Sequence, residues 1–299
     1  KRWSLSQQLS LGAFILIMLV MTAFITVVGY QSRNVLIAQA EVTQDSQISV
    51  LASQLETIYR LIIDNTQMLA SIFAELYSDP LVFDSSQTVL IGDYDSPRVT
   101  HRGEQVNLNF NHVDGFARMT GGNATVFIRY QDDFLRVTTS LKNREGKRAV
   151  GTLLGKSHPG YQQLIRGEVY LGEAKLFGTD YMTKYSPVMD ANRRVVAILY
   201  VGFPISKLLK QLRESLLAIR FGDSGYASLV NTQPGKHQGK LIVHATAQGK
   251  KLAQAYPLDN GSGSVLTPIL NRVAGAFELR EPNKGLQARV SFSRAGNSP

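Results

Sequence analysis

The chain opens on an uninterrupted apolar run. From Leu11 to Tyr30, LGAFILIMLVMTAFITVVGY, 20 residues carry no charge, and about 20 helical residues span the roughly 30 Å hydrocarbon core of a bilayer. The run predicts a transmembrane helix with Trp3 and Tyr30 as interfacial aromatics. A cleaved signal peptide is the competing reading. Its apolar region ordinarily covers about 7–15 residues before a small-x-small site, whereas here the run is longer and continues into QSRNVL. Lys1 and Arg2 precede it, so the positive-inside tendency puts residues 1–10 in the cytoplasm and everything after Tyr30 outside, with Arg33 pulling the other way.

The pattern then changes period. Gln31 to Asp79 contains no Gly or Pro, and Ile48, Leu51, Leu55, Ile58, Ile62, Leu69, Ile72 and Leu76 recur at alternating three- and four-residue steps, interrupted at Asn65. This predicts a long helix over 31–79, stopped at Ser78–Pro80 because Pro restricts the residue before it. A polar Asn in such a seam fixes pairing in coiled coils at some cost in stability. Packing of the same face on the protein's own following domain accounts for the spacing equally well.

From Leu81 the period shortens toward two. ATVFIRYQDDFLRVTTSL, Ala124 to Leu141, sets β-branched and aromatic residues on both sides of Gln131, Asp132 and Asp133, a hairpin signature. KNREGKRAVG reads as a second turn, and GYQQLIRGEVYLGEAKLFG from Gly160 as a short helix and a strand. KYSPVMDANRRVVAILYVGFPI, Lys184 to Ile205, is strand, turn from Asp190, strand. Strand side chains alternate, which puts Arg136, Thr138 and Ser140 on one face and Tyr181, Thr183 and Tyr185 on another. Where those faces meet they make a pocket with one guanidinium, several hydroxyls and aromatic walls, suited to a small carboxylate or similar anion. The arm VVAILYVGFP is expected as a central strand buried against the long helix. Further on, SKLLKQLRESLLAI from Ser206 predicts an amphipathic connecting helix, SGYASLV and KLIVHA strands, SVLTPILNRVAGAFEL a helix and GLQARVSFS a strand.

Composition narrows the classes. At 299 residues the chain is long enough for about two domains, and 44% hydrophobic with 18% charged residues describes a folded protein. A net charge of +9 leaves nucleic acid, an anionic membrane surface or small anionic ligands as partners. No basic run, helix-turn-helix or zinc-finger spacing supports nucleic acid. The absence of Cys excludes disulfides, thiolate chemistry and Cys-based metal sites. Histidines 101, 112, 158, 237 and 244 show no HExxH or paired helical spacing, so no metal and no cofactor is expected; His158 is a further candidate ligand contact. GDSG, Gly222 to Gly225, shares letters with trypsin-like nucleophile loops but lacks the positioned His and Asp such chemistry needs, and reads as a turn entering a strand. GKSHPG from Gly155 is neither a nucleophile elbow nor a P-loop, and GSGS from Gly261 lacks the third Gly of a dinucleotide loop. Asp132 and Asp133 are adjacent, so they point apart on any strand. No catalytic residue is expected. A membrane-anchored hydrolase using Ser224 and a ligand-free periplasmic adaptor are the competing classes.

The order of membrane helix, long helix, DDFLRVTTSL, LGKSHPGYQQLIRGEVYLGEAKLFGTDYMTKYSPVMDANRRVVAILYVGFPI, FGDSGYASLV and LIVHA resembles the periplasmic part of a bacterial methyl-accepting chemotaxis receptor with a double Cache sensor of the Cache 3/Cache 2 fusion type. The resemblance covers nearly the whole chain. It implies an α+β protein in which an N-terminal transmembrane helix and a long helix precede two tandem PAS-like Cache domains, each an antiparallel sheet of about five strands flanked by helices. The expected division is a cytoplasmic flank at 1–10, the span at 11–30, the long helix at 31–79, a membrane-distal sensor at 80–205, a connecting helix at 206–219 and a membrane-proximal domain at 220–299, cut before its last strand and second membrane helix. A homodimer in the bacterial inner membrane, a small-molecule ligand in the periplasm and cytoplasmic chemotaxis proteins as partners are implied too. A histidine kinase or diguanylate cyclase output stays open.

Related single Cache carboxylate sensors hold their ligand with basic and hydroxyl residues on the strand before the loop and on the strand preceding the SPV position. The matching residues are Arg136 and Thr138, then Tyr181, Thr183 and Tyr185, with Tyr161 and Lys175 completing the candidate set. Where those sensors have Arg and Lys on the second strand this chain has Tyr and Thr, with Lys184 on the opposite face, which weighs against di- and tricarboxylates. An amino acid, a short-chain monocarboxylate and a purine remain. Ligand-driven closure is expected to shift the long helix by about an ångström or two.

Overall fold

In the computed structural model the apolar run and the heptad-like segment form one helix, α1 (Leu5–Glu75), of 71 residues. The transmembrane and periplasmic helices expected as neighbours are thus continuous. Its apolar section is exposed, as at Phe14, Leu19 and Phe24, and the helix is long and apolar enough to cross a membrane. The structure describes residues 5–221, 225–232, 237–255, 269–270, 274–280 and 287–293. They fall into two compact units, Thr57–Ala218 and Lys1–Glu56 with Ile219–Pro299.

In the Thr57–Ala218 unit, the end of α1 is followed by β1 (Val82–Ile91), β2 (Tyr94–His101) and β3 (Glu104–Gln105), a small antiparallel sheet. Next come α2 (Asn111–Thr120), β4 (Asn123–Tyr130), β5 (Asp133–Thr139), α3 (Tyr161–Ile165), β6 (Tyr170–Leu176), β7 (Thr179–Met189), β8 (Val195–Pro204) and α4 (Ser206–Ala218). Strands β4 to β8 make an antiparallel sheet in the order β5-β4-β8-β7-β6. The β7–β8 turn forms as expected: the Asp190 carboxylate accepts the amides of Asn192 and Arg194 at 2.9 and 2.8 Å, closing the turn locally.

Alternation along the strands splits this sheet into two faces. Val126 and Ile128 of β4, Leu135 and Val137 of β5 and Ala197, Leu199 and Val201 of β8 join Leu69 and Phe73 of α1 in one core, with Ile91, Val99, Val113 and Phe116 beside them. A smaller cluster ties Ile62 and Ile58 of α1 to Met182 and Ile205. The periodic face of α1 therefore packs on its own sheet over these turns. Ile72, expected in that seam, is instead 44% exposed, and Phe73 takes the buried place.

In the other unit the described elements after α4 are short: β9 (Arg220–Phe221), β10 (Gly225–Tyr226), β11 (Leu229–Val230), β12 (Leu241–Val243), α5 (Leu252–Ala255), β13 (Ala274–Arg280) and β14 (Gln287–Ser293). The helix expected through SVLTPILNRVAGAFEL is corrected at its end. Ala274–Arg280 pairs residue for residue with Gln287–Ser293, and that ladder overrides the helical spacing. Ser224 and the GSGS stretch lie outside the described residues.

Candidate functional site

The face of the sheet turned away from α1 is built differently. Cross-strand partners share a face in an antiparallel sheet, and the register pairs Phe127 with Ile198, Thr125 with Tyr200, Tyr185 with Tyr200 and Thr183 with Gly202. On the edge strand, Tyr170 pairs with Tyr185, Gly172 with Thr183 and Ala174 with Tyr181. Phe127, Phe134, Leu164, Tyr185, Ile198 and Tyr200 form its buried cluster. Three rings run through it in sequence: His158 lies 4.6 Å from Tyr185, and Tyr185 lies 4.8 Å from Tyr200, centroid to centroid. The Tyr200 ring leans along its own strand over residue 202, where only Gly leaves it room.

Arg136 enters this face from β5, opposite Phe127. It is 9% exposed, its guanidinium carbon lies 4.9 Å from the Phe127 ring centre, and its Nη1 donates to the Ala149 carbonyl at 3.2 Å and to Thr152 Oγ1 at 2.7 Å. Its Nε has no partner, and neither has the buried Tyr200 hydroxyl. Burial lowers the Arg136 pKa from its ordinary value, against a smaller opposite pull from Tyr185 and Tyr200. Burial also raises Tyr185 and Tyr200 and lowers His158, so both phenols and the imidazole are neutral at pH 7. A buried cation without a carboxylate, edged by neutral hydroxyls and rings, is equipped to bind an anion.

A one-residue bulge corrects the expected face of β5. Phe127 pairs with Arg136 but Val126 with Thr138, so Val137 is an extra residue and alternation slips by one. The freed Val137 carbonyl accepts the Leu108 amide at 3.0 Å. Thr138 consequently stands opposite the core residue Val126, on the α1 side, and its hydroxyl donates to the Asn109 carbonyl at 2.6 Å. The residue on the site face is Thr139, whose Oγ1 meets Thr125 Oγ1 at 2.5 Å. Ser140 is spent on the strand end, accepting the Ala124 amide at 2.9 Å.

The remaining candidates divide. Tyr181, Thr183 and Tyr185 do share the site face; Tyr181 accepts from Asn123 Nδ2 at 3.1 Å and Thr183 donates to the Gly172 carbonyl at 2.7 Å. Tyr161 is buried, but its hydroxyl is bonded to the Asp132 carbonyl and pins the β4–β5 turn. Lys175 pairs with Asp180 at 3.2 Å with most of its side chain exposed, at a position that alternates away from the site. Sequence reasoning missed Tyr200, Phe127 and Thr139. The period-two pattern of VVAILYVGFP itself held the signal for Tyr200, since a central strand presents alternate residues to both faces. A depression elsewhere, edged by Tyr77, His101, Glu104 and His112, has buried aromatic neighbours but no buried cation. Among the described residues no cluster of acids and histidines is arranged to hold a metal.

A five-stranded antiparallel sheet with α1 and α2 on one face and, on the other, a ring-lined face that buries Arg136 is the layout of a PAS-like domain. Residues 30–295 match the family described as the Cache 3/Cache 2 fusion domain, and the chain belongs to that family. Cache domains bind ligands rather than catalyse, which fits a non-enzymatic role. The extracellular domain assigned to the histidine kinase mmHK1S-Z2 is similar in fold, with a TM-score of 0.50, 14% identity and coverage of 85% of this chain and 92% of that one. More distant in fold are the ligand-binding domain of the Pseudomonas aeruginosa amino acid chemoreceptor PctC in complex with GABA (TM-score 0.47, 17% identity, 87% and 94% covered) and the periplasmic sensory domain of the Campylobacter jejuni chemoreceptor Tlp1 (0.45, 14%, 83% and 87%). No curated protein matches the chain by sequence.

Proposed function

We propose that the chain is the extracytoplasmic sensing region of an inner-membrane chemoreceptor, anchored by the apolar part of α1, that binds a small organic anion or amino acid on the Arg136 face. The observation that carries this reading is the buried, unpaired Arg136 Nε among neutral rings and hydroxyls. Keeping a desolvated cation without a counter-charge costs stability, and a ligand anion recovers that cost. The ligand-free adaptor offers no such recovery and is disfavoured for that reason.

In this reading residues 80–205 are the membrane-distal sensor, 206–219 the connector and 220–299 the membrane-proximal domain. Ligand binding shifts the sheet against α1, whose Ile62, Leu69 and Phe73 are packed in the cores on the opposite face. Leu61, Met68 and Ile72 are 62, 55 and 44% exposed along α1, with the half-buried Asn65 between them, and supply a pairing stripe for a homodimer. The partners on the cytoplasmic side are chemotaxis signalling proteins; a histidine kinase output is the second reading, favoured by the fold likeness to a kinase sensor. The experiment is a thermal-shift screen of the full chain in detergent against amino acids, organic acids and purines. One class raising the midpoint with concentration is expected; a well-folded sample with no stabiliser would overturn the sensing role.

A further inference from the structure

We infer that the ligand of the Arg136 face is an organic acid that carries no ammonium group, a monocarboxylate on an apolar or aromatic tail, and that the face rejects the amino acid with the same tail. This rests on the sensing role proposed above and narrows it.

An amino acid brings two charges, so a site that takes one needs an acceptor for each. Arg136 Nε and the Tyr200 hydroxyl offer unsatisfied donors for a carboxylate. For an ammonium the face offers no counter-charge: among the described residues no Asp or Glu occupies any of its strand positions, and each nearby carboxylate is engaged elsewhere. Asp133 accepts the amides of Phe134 at 2.7 Å and Gly155 at 3.2 Å. Glu173, one residue out of phase with the site face, bonds Tyr59 of α1. Asp180 serves Lys175 and the Ser206 hydroxyl, and Asp132 serves Lys156.

Aromatic walls can hold an ammonium through their π faces, but two of these rings already carry a guanidinium. Arg136 occupies the face of Phe127 at 4.9 Å and Arg129 that of Phe134 at 5.0 Å. Tyr185 turns toward His158 and Tyr200 at 4.6 and 4.8 Å. An ammonium would thus be buried without a counter-charge and near an uncompensated guanidinium, which disfavours it twice. The rings and Ile198 offer only an apolar wall to the rest of the ligand.

The test is titration calorimetry and thermal shift on the full chain in detergent with matched pairs: propionate and alanine, butyrate and GABA, 3-phenylpropionate and phenylalanine. The acid of at least one pair is expected to bind, its amino partner at least about tenfold more weakly, with acid binding lost in Arg136→Met and weakened several-fold in Tyr200→Phe, which keeps the ring and the fold. Should an amino partner bind as well as its acid, or a neutral or amine ligand stabilise where no acid does, the inference fails and the sensing role stands. Acid binding unchanged in both variants also overturns it. If nothing in the wider screen binds either, the sensing role falls with it.

Discussion

The same three strands, β4, β5 and β8, build two unlike surfaces. Toward α1 they present Val126, Ile128, Leu135, Leu199 and Val201, all hydrocarbon and all buried against Leu69 and Phe73. Toward α3 they present Phe127, Arg136, Thr125, Thr139 and Tyr200, equally buried yet carrying a charge, four hydroxyl or guanidinium groups and two polar atoms without partners. Burial alone therefore does not distinguish core from site here. What distinguishes them is whether the buried groups satisfy one another. A face that packs well stabilises the fold, and a face left with unmet hydrogen-bonding capacity is a candidate site.

The largest expected effect breaks the packed face. Phe73 is fully buried and meets Tyr77 and Phe116 edge-on at 5.4 and 5.2 Å; Phe73→Ala should cost about 3–5 kcal/mol in urea unfolding. A cost below about 1 kcal/mol would mean that α1 is not anchored there. An intermediate effect belongs to the rim. Arg148 grips Asp114 of α2 through both carboxylate oxygens at 2.8 and 2.6 Å, donates to the Thr139 carbonyl at 2.8 Å and lies 4.1 Å over the Phe110 ring. Arg148→Ala should cost about 2 kcal/mol at pH 7.

That loss carries a pH signature. Hydrogen bonding to Arg148 holds the Asp114 carboxyl below its ordinary 3.8, so its contribution is complete above that value and fades as pH falls through the depressed folded-state value. The gap in unfolding midpoint between wild type and Arg148→Ala should narrow on going from pH 7 to acid. A gap that stays constant would assign the loss to packing on Phe110.

The smallest effect sharpens the comparison most. Arg136→Met removes a buried unpaired cation along with two hydrogen bonds, so stability should stay within about 1 kcal/mol of wild type, read by the same urea titration. A loss matching Phe73→Ala would make Arg136 a structural residue and erase the distinction between the faces.

Periodicity made the large elements legible: the long helix, the β4–β5 hairpin and the Asp190 turn all follow from spacing and turn chemistry. The shared face was legible on β7, where alternation is unbroken and Tyr181, Thr183 and Tyr185 stay in phase. On β5 it was not, because a bulge leaves no composition signal and depends on Leu108 arriving to take the Val137 carbonyl. Lys175 and Tyr161 misled for another reason: charge and hydroxyl show in a sequence, but the local partner that consumes them does not. The β13 strand was hidden because its pairing is with residues 287–293, beyond the reach of local propensity.

The extra residue at Val137 divides β5 into two reading frames. Upstream, even-numbered positions look into the site; downstream, odd-numbered ones do. Neighbouring threonines thus answer to different demands, Thr138 to the helix-side core and Thr139 to the Arg136 face, and a relative that pairs regularly through 137 would transpose them. Any comparison across such domains has to be made on frame as well as on position, since regular pairing of the same residues, with Val137 opposite Val126, would exchange the roles of everything after it without changing a single side chain.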